Sequence, residues 1–194
     1  MTFEENYTMM HPDVEQILFT EEQLNETTTR LAKEIDRDYA GKDHRLVLLC
    51  ILKGSVVFMG ELMKKLSVPV EIDFMKVSSY GAGSVSSGNV NIILDFYRRD
   101  IETCDILIVE DIIDSGNTLN YLVGYLKNKG AKSVKTVTML DKPSRRSPSL
   151  VDFCPDYHGH VIEDLFVVGW GLDYNEKYRE LPYIGVLKEE VYKA

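Results

Sequence analysis

Residues 110–118 read Glu-Asp-Ile-Ile-Asp-Ser-Gly-Asn-Thr, so three carboxylates fall within five residues and a hydroxyl- and glycine-rich turn follows them. Carboxylates this close repel one another and lose hydration at a cost unless a cation or a hydroxyl-rich ligand sits among them. Glu110 and Asp111 can each accept two hydrogen bonds, which suits the vicinal hydroxyls of a ribose, directly or through a divalent metal that prefers oxygen. Ser115, Gly116, Asn117 and Thr118 have the character of a helix's first turn. Unpaired backbone N–H groups and the helix dipole there favour an anion, and Gly116 lets the backbone approach it closely. No lysine precedes the hydroxyl, which separates this turn from the G-x-x-x-x-G-K-[ST] loop of nucleoside triphosphatases. An isolated D-x-x-D most often caps a helix. Three acids beside a phosphate-type turn argue instead for a sugar phosphate.

The elements that must position these groups alternate between strand and helix. Residues 107–110 end an apolar segment, DILIVE, that reads as a buried strand, and Leu119, Leu122, Val123 and Leu126 then repeat at helical spacing before Gly130. The acids therefore stand at the carboxyl end of a strand, where open parallel sheets bind ligands. Upstream, Thr20 to Tyr39 reads as a helix with a Thr20–Gln23 capping box and Gly41 just past its end. LVLLCIL, apolar on both faces, reads as a covered parallel strand; VVFMGELMKKL is a helix and VEIDFMKV the next strand. SVKTVTML, LFVVG and YIGVL supply further strands. Repeated alternation predicts an α/β fold, an open and mostly parallel twisted sheet with helices on both faces. Two segments break the pattern. Ser78 to Val90, rich in Ser and Gly and nearly without apolar anchors, reads as a mobile lid. KPSRRSPSLVDFCPDYHGH, with three prolines and a basic pair, reads as an excursion at the sheet edge.

Composition limits the function classes. The chain has 194 residues, enough for one domain with a sizeable core. Its net charge of -9 speaks against a nucleic-acid binder, whose affinity would rest on a basic face. The longest apolar run, Leu46 to Leu52, is too short to span a bilayer. The N-terminal residues carry acids where a signal peptide needs bases. Three scattered cysteines, Cys50, Cys104 and Cys154, make a poor disulfide framework and fit a reducing, cytoplasmic setting.

With these motifs placed, VEDIIDSGNTL closely resembles the phosphoribosyl diphosphate motif of the type I phosphoribosyltransferases, and Asp114 is similar to the hypoxanthine-guanine branch in particular. LKGS at 52–55, SSYG at 78–81, DKPSRR at 141–146 and LFVVGWGLDYNEKYRELPYIG at 165–185 continue the likeness in order over nearly the whole chain. The resemblance implies purine salvage: a hypoxanthine or guanine base attacks C1 of phosphoribosyl diphosphate, giving IMP or GMP and pyrophosphate, with Mg2+ as cofactor. It further implies that Glu110 and Asp111 hold the ribose hydroxyls and that Ser115, Gly116, Asn117 and Thr118 hold the 5'-phosphate. Asp114 would handle the proton at purine N7. Lys142 would donate to the 6-oxo group, Phe166 would stack on the purine and the Val167 backbone would read the ring edge. Glu110, Asp111 and Asp173 would serve the metal. Leu52, Lys53 and Gly54 resemble a pyrophosphate loop in which the family has a cis peptide, with Arg179 assisting, and Ser78 and Tyr80 would belong to the lid.

The likeness also implies a single domain over residues 1–194, with a core at about 40–145 and a hood from the N-terminal segment and about 146–194. A homodimer or homotetramer is the expected assembly. Two positions depart from the family pattern. Trp170 stands where a tyrosine is expected, close to the purine pocket, and Ser55 replaces a common second glycine after Lys53. His158 and His160 have H-x-H spacing without a third ligand nearby and are assigned no role. A xanthine-preferring transferase and a nucleotide-sensing RNA-binding regulator are the alternatives. The acidic charge and the presence of Asp114 weigh against the regulator.

Overall fold

The structure is a computed structural model and describes residues 10–41, 43–79 and 90–193. The strongest local signal of the sequence is LVLLCIL, and it forms β2 (Leu46–Leu52), with six of its seven residues buried. Such a strand must be covered on both sides. Leu48 and Cys50 pack beneath α1 (Glu21–Tyr39) and α2 (Val56–Met63), while Val47, Leu49 and Ile51 pack beneath α3 (Asn117–Asn128). Helix α1 begins where the capping box places it. The Gln23 amide donates to Thr20 Oγ1 at 3.3 Å and the Thr20 amide donates to Gln23 Oε1 at 2.9 Å. Its Leu24, Leu31, Ala32 and Ile35 face the sheet. Helix α2 ends at Met63, three residues before the end of the helical pattern in VVFMGELMKKL.

Six strands form the main sheet in the order β4-β3-β2-β5-β6-β7: β3 is Val70–Ser79, β4 Val90–Leu94, β5 Asp105–Ile113, β6 Ser133–Asp141 and β7 Tyr157–Val161. All neighbours run parallel except β4, which returns antiparallel along β3. The lid residues between Ser79 and Val90, Tyr80 among them, lie outside the described residues. β7 corrects the sequence reading. Part of the proline-containing excursion is a true sheet strand, paired with β6 from Val137–Tyr157 to Asp141–Val161.

A second sheet of three strands, β1-β9-β8, joins distant parts of the chain: β1 is Val14–Phe19, β8 Val167–Val168 and β9 Ile184–Leu187. The periodicity of VEQILF did not mark β1 as a strand. Val14, Val168, Tyr178, Tyr183 and Leu187 make a separate small core for this sheet. No helix among the described residues is long and apolar enough to cross a membrane. The three cysteines are free thiols.

Candidate active site

Three parallel strands end side by side, and each delivers a predicted group to the same edge: β2 leads into Lys53 and Gly54, β5 into Asp114, and β6 into Lys142. β5 itself continues through Glu110 and Asp111 to Ile113, so the acids belong to the strand and not to a loop after it. Leu107 and Val109 face the α1–α2 side and Ile106 and Ile108 the α3 side, yet Ile112 packs with the first cluster and Ile113 with the second. The two-residue alternation therefore slips by one across Glu110 and Asp111. The Asp111 side chain assists this by accepting the Ile112 amide on Oδ1 at 2.7 Å.

The two acids serve different parts of the cleft. Glu110 lines a concavity of about 100 Å³ together with Ile112, Asp114, Ser115, Gly116 and Thr118. Gly116 has φ 81° and is the N-cap of α3, so Ser115 and Gly116 precede the helix and Asn117 and Thr118 begin it. The Asn117 amide donates to Ser115 Oγ at 3.3 Å. This concavity has the size and donors for one phosphate. Asp111 instead meets the β2 loop. A Cβ on Gly54 would lie 1.6 Å from Asp111 Oδ2, so this contact requires glycine. The peptide from Leu52 to Lys53 is cis.

The loop after β8 closes over that region. A Cβ on Gly171 would lie 2.1 Å from the Gly54 carbonyl oxygen. Arg179 donates through Nη1 to the Gly171 carbonyl at 2.7 Å, and its Nη2 pairs with Asp173 at 2.9 Å and with Glu176 at 3.3 Å. Lys53 Nζ reaches the same Glu176 carboxylate at 2.9 Å. Glu176 was not singled out in the sequence; no motif logic marks an acid that bridges two cations. Trp170, Asn175, Glu176 and Tyr178 all hold positive φ, from 50° to 76°. So many non-glycine residues in this region of φ, within one loop, is uncommon and typical of ligand-binding segments.

Burial pushes the Asp111 carboxyl up to about 6, with the nearby charge of Asp173 adding to the effect, and the Ile112 amide and Arg179 opposing it. Burial, then the charge of Asp111, holds Glu110 well above the usual carboxylate range. Oxygen donors from Glu110, Asp111 and Asp173 have the chemistry of a magnesium site. Among the described residues no three His, Cys, Asp or Glu side chains converge on one point, so such an ion would need further oxygens from a ligand.

Lys142 is 8% exposed, and its Nζ donates to the Leu165 carbonyl at 2.6 Å. Burial lowers its pKa, against the charges of Asp114 and Asp164. Asp114 is half exposed and pairs with Arg145 at 3.3 Å. Arg146, which no sequence signal singled out, is the buried anchor of this wall. It pairs with Asp141 and donates through Nη1 to the carbonyls of Asp114 at 2.7 Å and Ile113 at 3.2 Å. DKPSRR looks like a solvated basic loop, and nothing in its pattern distinguishes the inward arginine from the outward one.

Phe166 remains 37% exposed just ahead of buried Val167, with Tyr192 stacked on it at 4.6 Å. Trp170 does not border this ring. It packs against Phe58 in the main core at 5.9 Å between centroids. Ser55 is fully buried, its hydroxyl donating to the Ile51 carbonyl at 2.6 Å. Half-buried Ser78 pairs with Asn91 across the β3–β4 hairpin. His160 stacks on Phe19 at 4.0 Å and meets Thr27 at 2.8 Å, a packing role.

The chain is 49% identical over 184 residues to the hypoxanthine-guanine phosphoribosyltransferase of Streptococcus thermophilus, covering 95% of this chain and 99% of that protein. It is also 49% identical over 183 residues to the bifunctional protein TilS/HprT of Listeria monocytogenes, covering 94% of this chain but only 27% of that longer protein. A crystal structure of a hypoxanthine phosphoribosyltransferase from Staphylococcus aureus superposes with a TM-score of 0.87 at 46% identity, covering 94% of this chain and 96% of that one. A family profile described as the phosphoribosyl transferase domain matches residues 16–176, and the chain belongs to that family.

Proposed function

We infer that this chain performs purine salvage, transferring the 5-phosphoribosyl group of phosphoribosyl diphosphate to N9 of hypoxanthine or guanine and releasing pyrophosphate. The observation that carries the reading is the delivery of a phosphate-sized turn, half-buried carboxylates, a cation pair and a buried lysine to one sheet edge by β2, β5, β6 and the loop after β8.

As the bond from C1 to the pyrophosphate oxygen breaks and the bond from C1 to N9 forms, positive charge develops on the sugar; Glu110 and Asp111 hold the ribose hydroxyls, and the Asp111 carboxylate stabilises that charge. Ser115 to Thr118 hold the 5'-phosphate. Lys53, Gly54 and Arg179 receive the departing pyrophosphate, whose binding displaces Glu176 from Lys53 and Arg179. Glu110, Asp111 and Asp173 would hold a magnesium ion, which would supply charge neutralisation for the leaving group. Asp114 accepts the N7 proton, and Arg145 gives up its ion pair with that carboxylate when the base arrives. Lys142 donates to the 6-oxo oxygen beside the Phe166 ring, and the Val167 backbone borders the base. Exclusion of water, the role proposed for the segment that carries Tyr80 and follows β3, prevents hydrolysis of the activated sugar. The family likeness supports a cytoplasmic dimer or tetramer, which sedimentation of the purified protein tests.

The deciding experiment is pyrophosphate release on mixing the protein with phosphoribosyl diphosphate, magnesium and, separately, hypoxanthine, guanine and xanthine. Turnover with the first two supports the reading. Turnover with xanthine alone would replace the proposed substrates, and none with any base would overturn the transferase assignment.

A further inference from the structure

Phe166 is held between two tyrosines that come from different directions. Tyr174, in the loop after β8, meets it edge-on, with centroids 5.6 Å apart and planes at 87°. Tyr192, in the one-turn helix α4 (Glu189–Tyr192), lies nearly parallel to it, with centroids 4.6 Å apart and planes at 20°. Offset stacked rings and edge-to-face rings are the two favoured aromatic geometries, and one ring held by both has little freedom to tilt.

The backbone around this trio is equally tied down. The Leu187 amide donates to the Phe166 carbonyl at 2.8 Å, and the Lys188 amide to the Asp13 carbonyl at 2.9 Å. Helix α4 starts at the next residue, and its Val191 and Tyr192 pack on the small-sheet core formed by Val14, Val168, Tyr178, Tyr183 and Leu187. Despite both aromatic contacts Phe166 is still 37% exposed, so surface remains for one more flat ring. Lys142 Nζ is bonded to the carbonyl of Leu165, the residue before it, which sets the hydrogen-bond donor for a base beside the same ring.

We propose that Tyr192 is a positioning residue for the base: it backs the Phe166 ring so that Tyr192, Phe166 and the purine form a three-ring stack, with the ring plane fixed relative to the Lys142 ammonium. The proposal deepens the transferase reading and rests on it. Tyr192 touches neither sugar nor phosphate groups in this scheme. Its loss therefore affects capture of the base and leaves the handling of phosphoribosyl diphosphate as it was.

The test compares Tyr192→Ala, Tyr192→Leu and Tyr192→Phe by steady-state kinetics, varying hypoxanthine or guanine at saturating phosphoribosyl diphosphate and then the reverse. Loss of one aromatic stack predicts a rise of about 2- to 10-fold in the KM for either base. The KM for phosphoribosyl diphosphate should not move. Tyr192→Leu keeps an apolar cover over the small-sheet core without a ring, so it should be as poor as Tyr192→Ala in base capture while melting close to wild type. Tyr192→Phe should restore the wild-type value, since the stack needs the ring and not the hydroxyl.

Equal KM values for Tyr192→Leu and wild type would overturn the proposal. So would a fall in KM, which would mean that the tyrosine occupies the base's own place. An equal rise in both substrates' KM would reduce Tyr192 to general packing and overturn it as well. Absence of turnover in the wild-type protein would instead sink the transferase reading on which the proposal rests.

Discussion

Gly171→Ala is the most informative single change that the structure offers, because two separable effects demand glycine there. Its φ is 101°, a region that side chains with a Cβ disfavour by about 1–2 kcal/mol. In addition, a Cβ would stand 2.1 Å from the Gly54 carbonyl oxygen and 3.3 Å from the carbonyl carbon. Neither atom belongs to a flexible side-chain end, so the Lys53–Gly54 loop or the loop after β8 must shift, at a cost of about 1–3 kcal/mol typical of overpacking. Gly41 provides the control, with φ 68° and nothing within 4 Å of the place where a methyl group would stand. Gly41→Ala should show the conformational part alone. Gly171→Ala should lower the melting temperature by roughly 2–12 °C beyond that control, at about 2–4 °C per kcal/mol for a chain of this size. The kinetic signature should be a several-fold higher KM for phosphoribosyl diphosphate in Gly171→Ala only, since the displaced loop is the one assigned to pyrophosphate. Equal melting losses in the two variants, with unchanged KM, would refute the reasoning.

Asp114→Asn should slow single-turnover nucleotide formation by about 10² to 10⁴-fold while phosphoribosyl diphosphate binding stays near normal; near-normal turnover would reduce Asp114 to a structural residue. Lys142→Ala should reduce kcat/KM for hypoxanthine and guanine alike by roughly 5- to 100-fold, because the 6-oxo acceptor would be left without its donor, and unchanged kinetics would remove Lys142 from the base site. Arg146→Ala strands buried Asp141 without its cation and should cost about 3–5 kcal/mol in urea unfolding, whereas a loss under about 1 kcal/mol would show that the pair is dispensable. Hydrogen bonds from Arg45 and then Arg98 hold the Glu71 carboxyl down at about 2, so its contribution is present above its ordinary value of 4.5 and is lost as pH falls from there toward about 2. Acid titration of stability should accordingly be shallower across that window in Glu71→Gln, and more so at low salt; identical acid limbs would contradict it.

How far the sequence could be read depended on how many constraints acted on each residue. LVLLCIL was legible because burial on both faces leaves only apolar residues, and α1 was legible because Thr20 and Gln23 must face each other to cap it. The short strands β1, β4 and β7 lie at sheet edges or in a small sheet, where one ladder and mixed burial leave no regular period; YHGHV carries hardly any apolar signal. Residue type and order pointed to Glu110, Asp111 and the turn of Ser115 to Thr118, acids before a glycine turn, whereas Lys142, Phe166, Asp173 and Arg179 entered only through the family resemblance. Their partners were not legible. That Asp111 faces Gly54 while Glu110 faces the phosphate turn depends on a slip in β5 that periodicity cannot show, and Arg146 is buried only because five backbone and side-chain acceptors surround it. Trp170, expected near the base, turned into the core because its backbone takes the positive φ of a tight loop.

The pairing of β1 with β9, Val14 opposite Leu187, sets an order on the making of the molecule. Strands β2, β3, β5 and β6 can associate as they leave the ribosome, since β2 pairs with both β3 and β5 and β5 with β6, all upstream of β9, and contacts of short sequence separation form early. The small sheet cannot close until β9 has been synthesised, because its middle strand is encoded last. A nascent chain would thus carry a finished phosphate turn while Phe166 still lacks the β9 partner that fixes its backbone. Such an intermediate could hold a sugar phosphate before it could present a base to it, so the capacity to join the two substrates would arise only once β9 has been made.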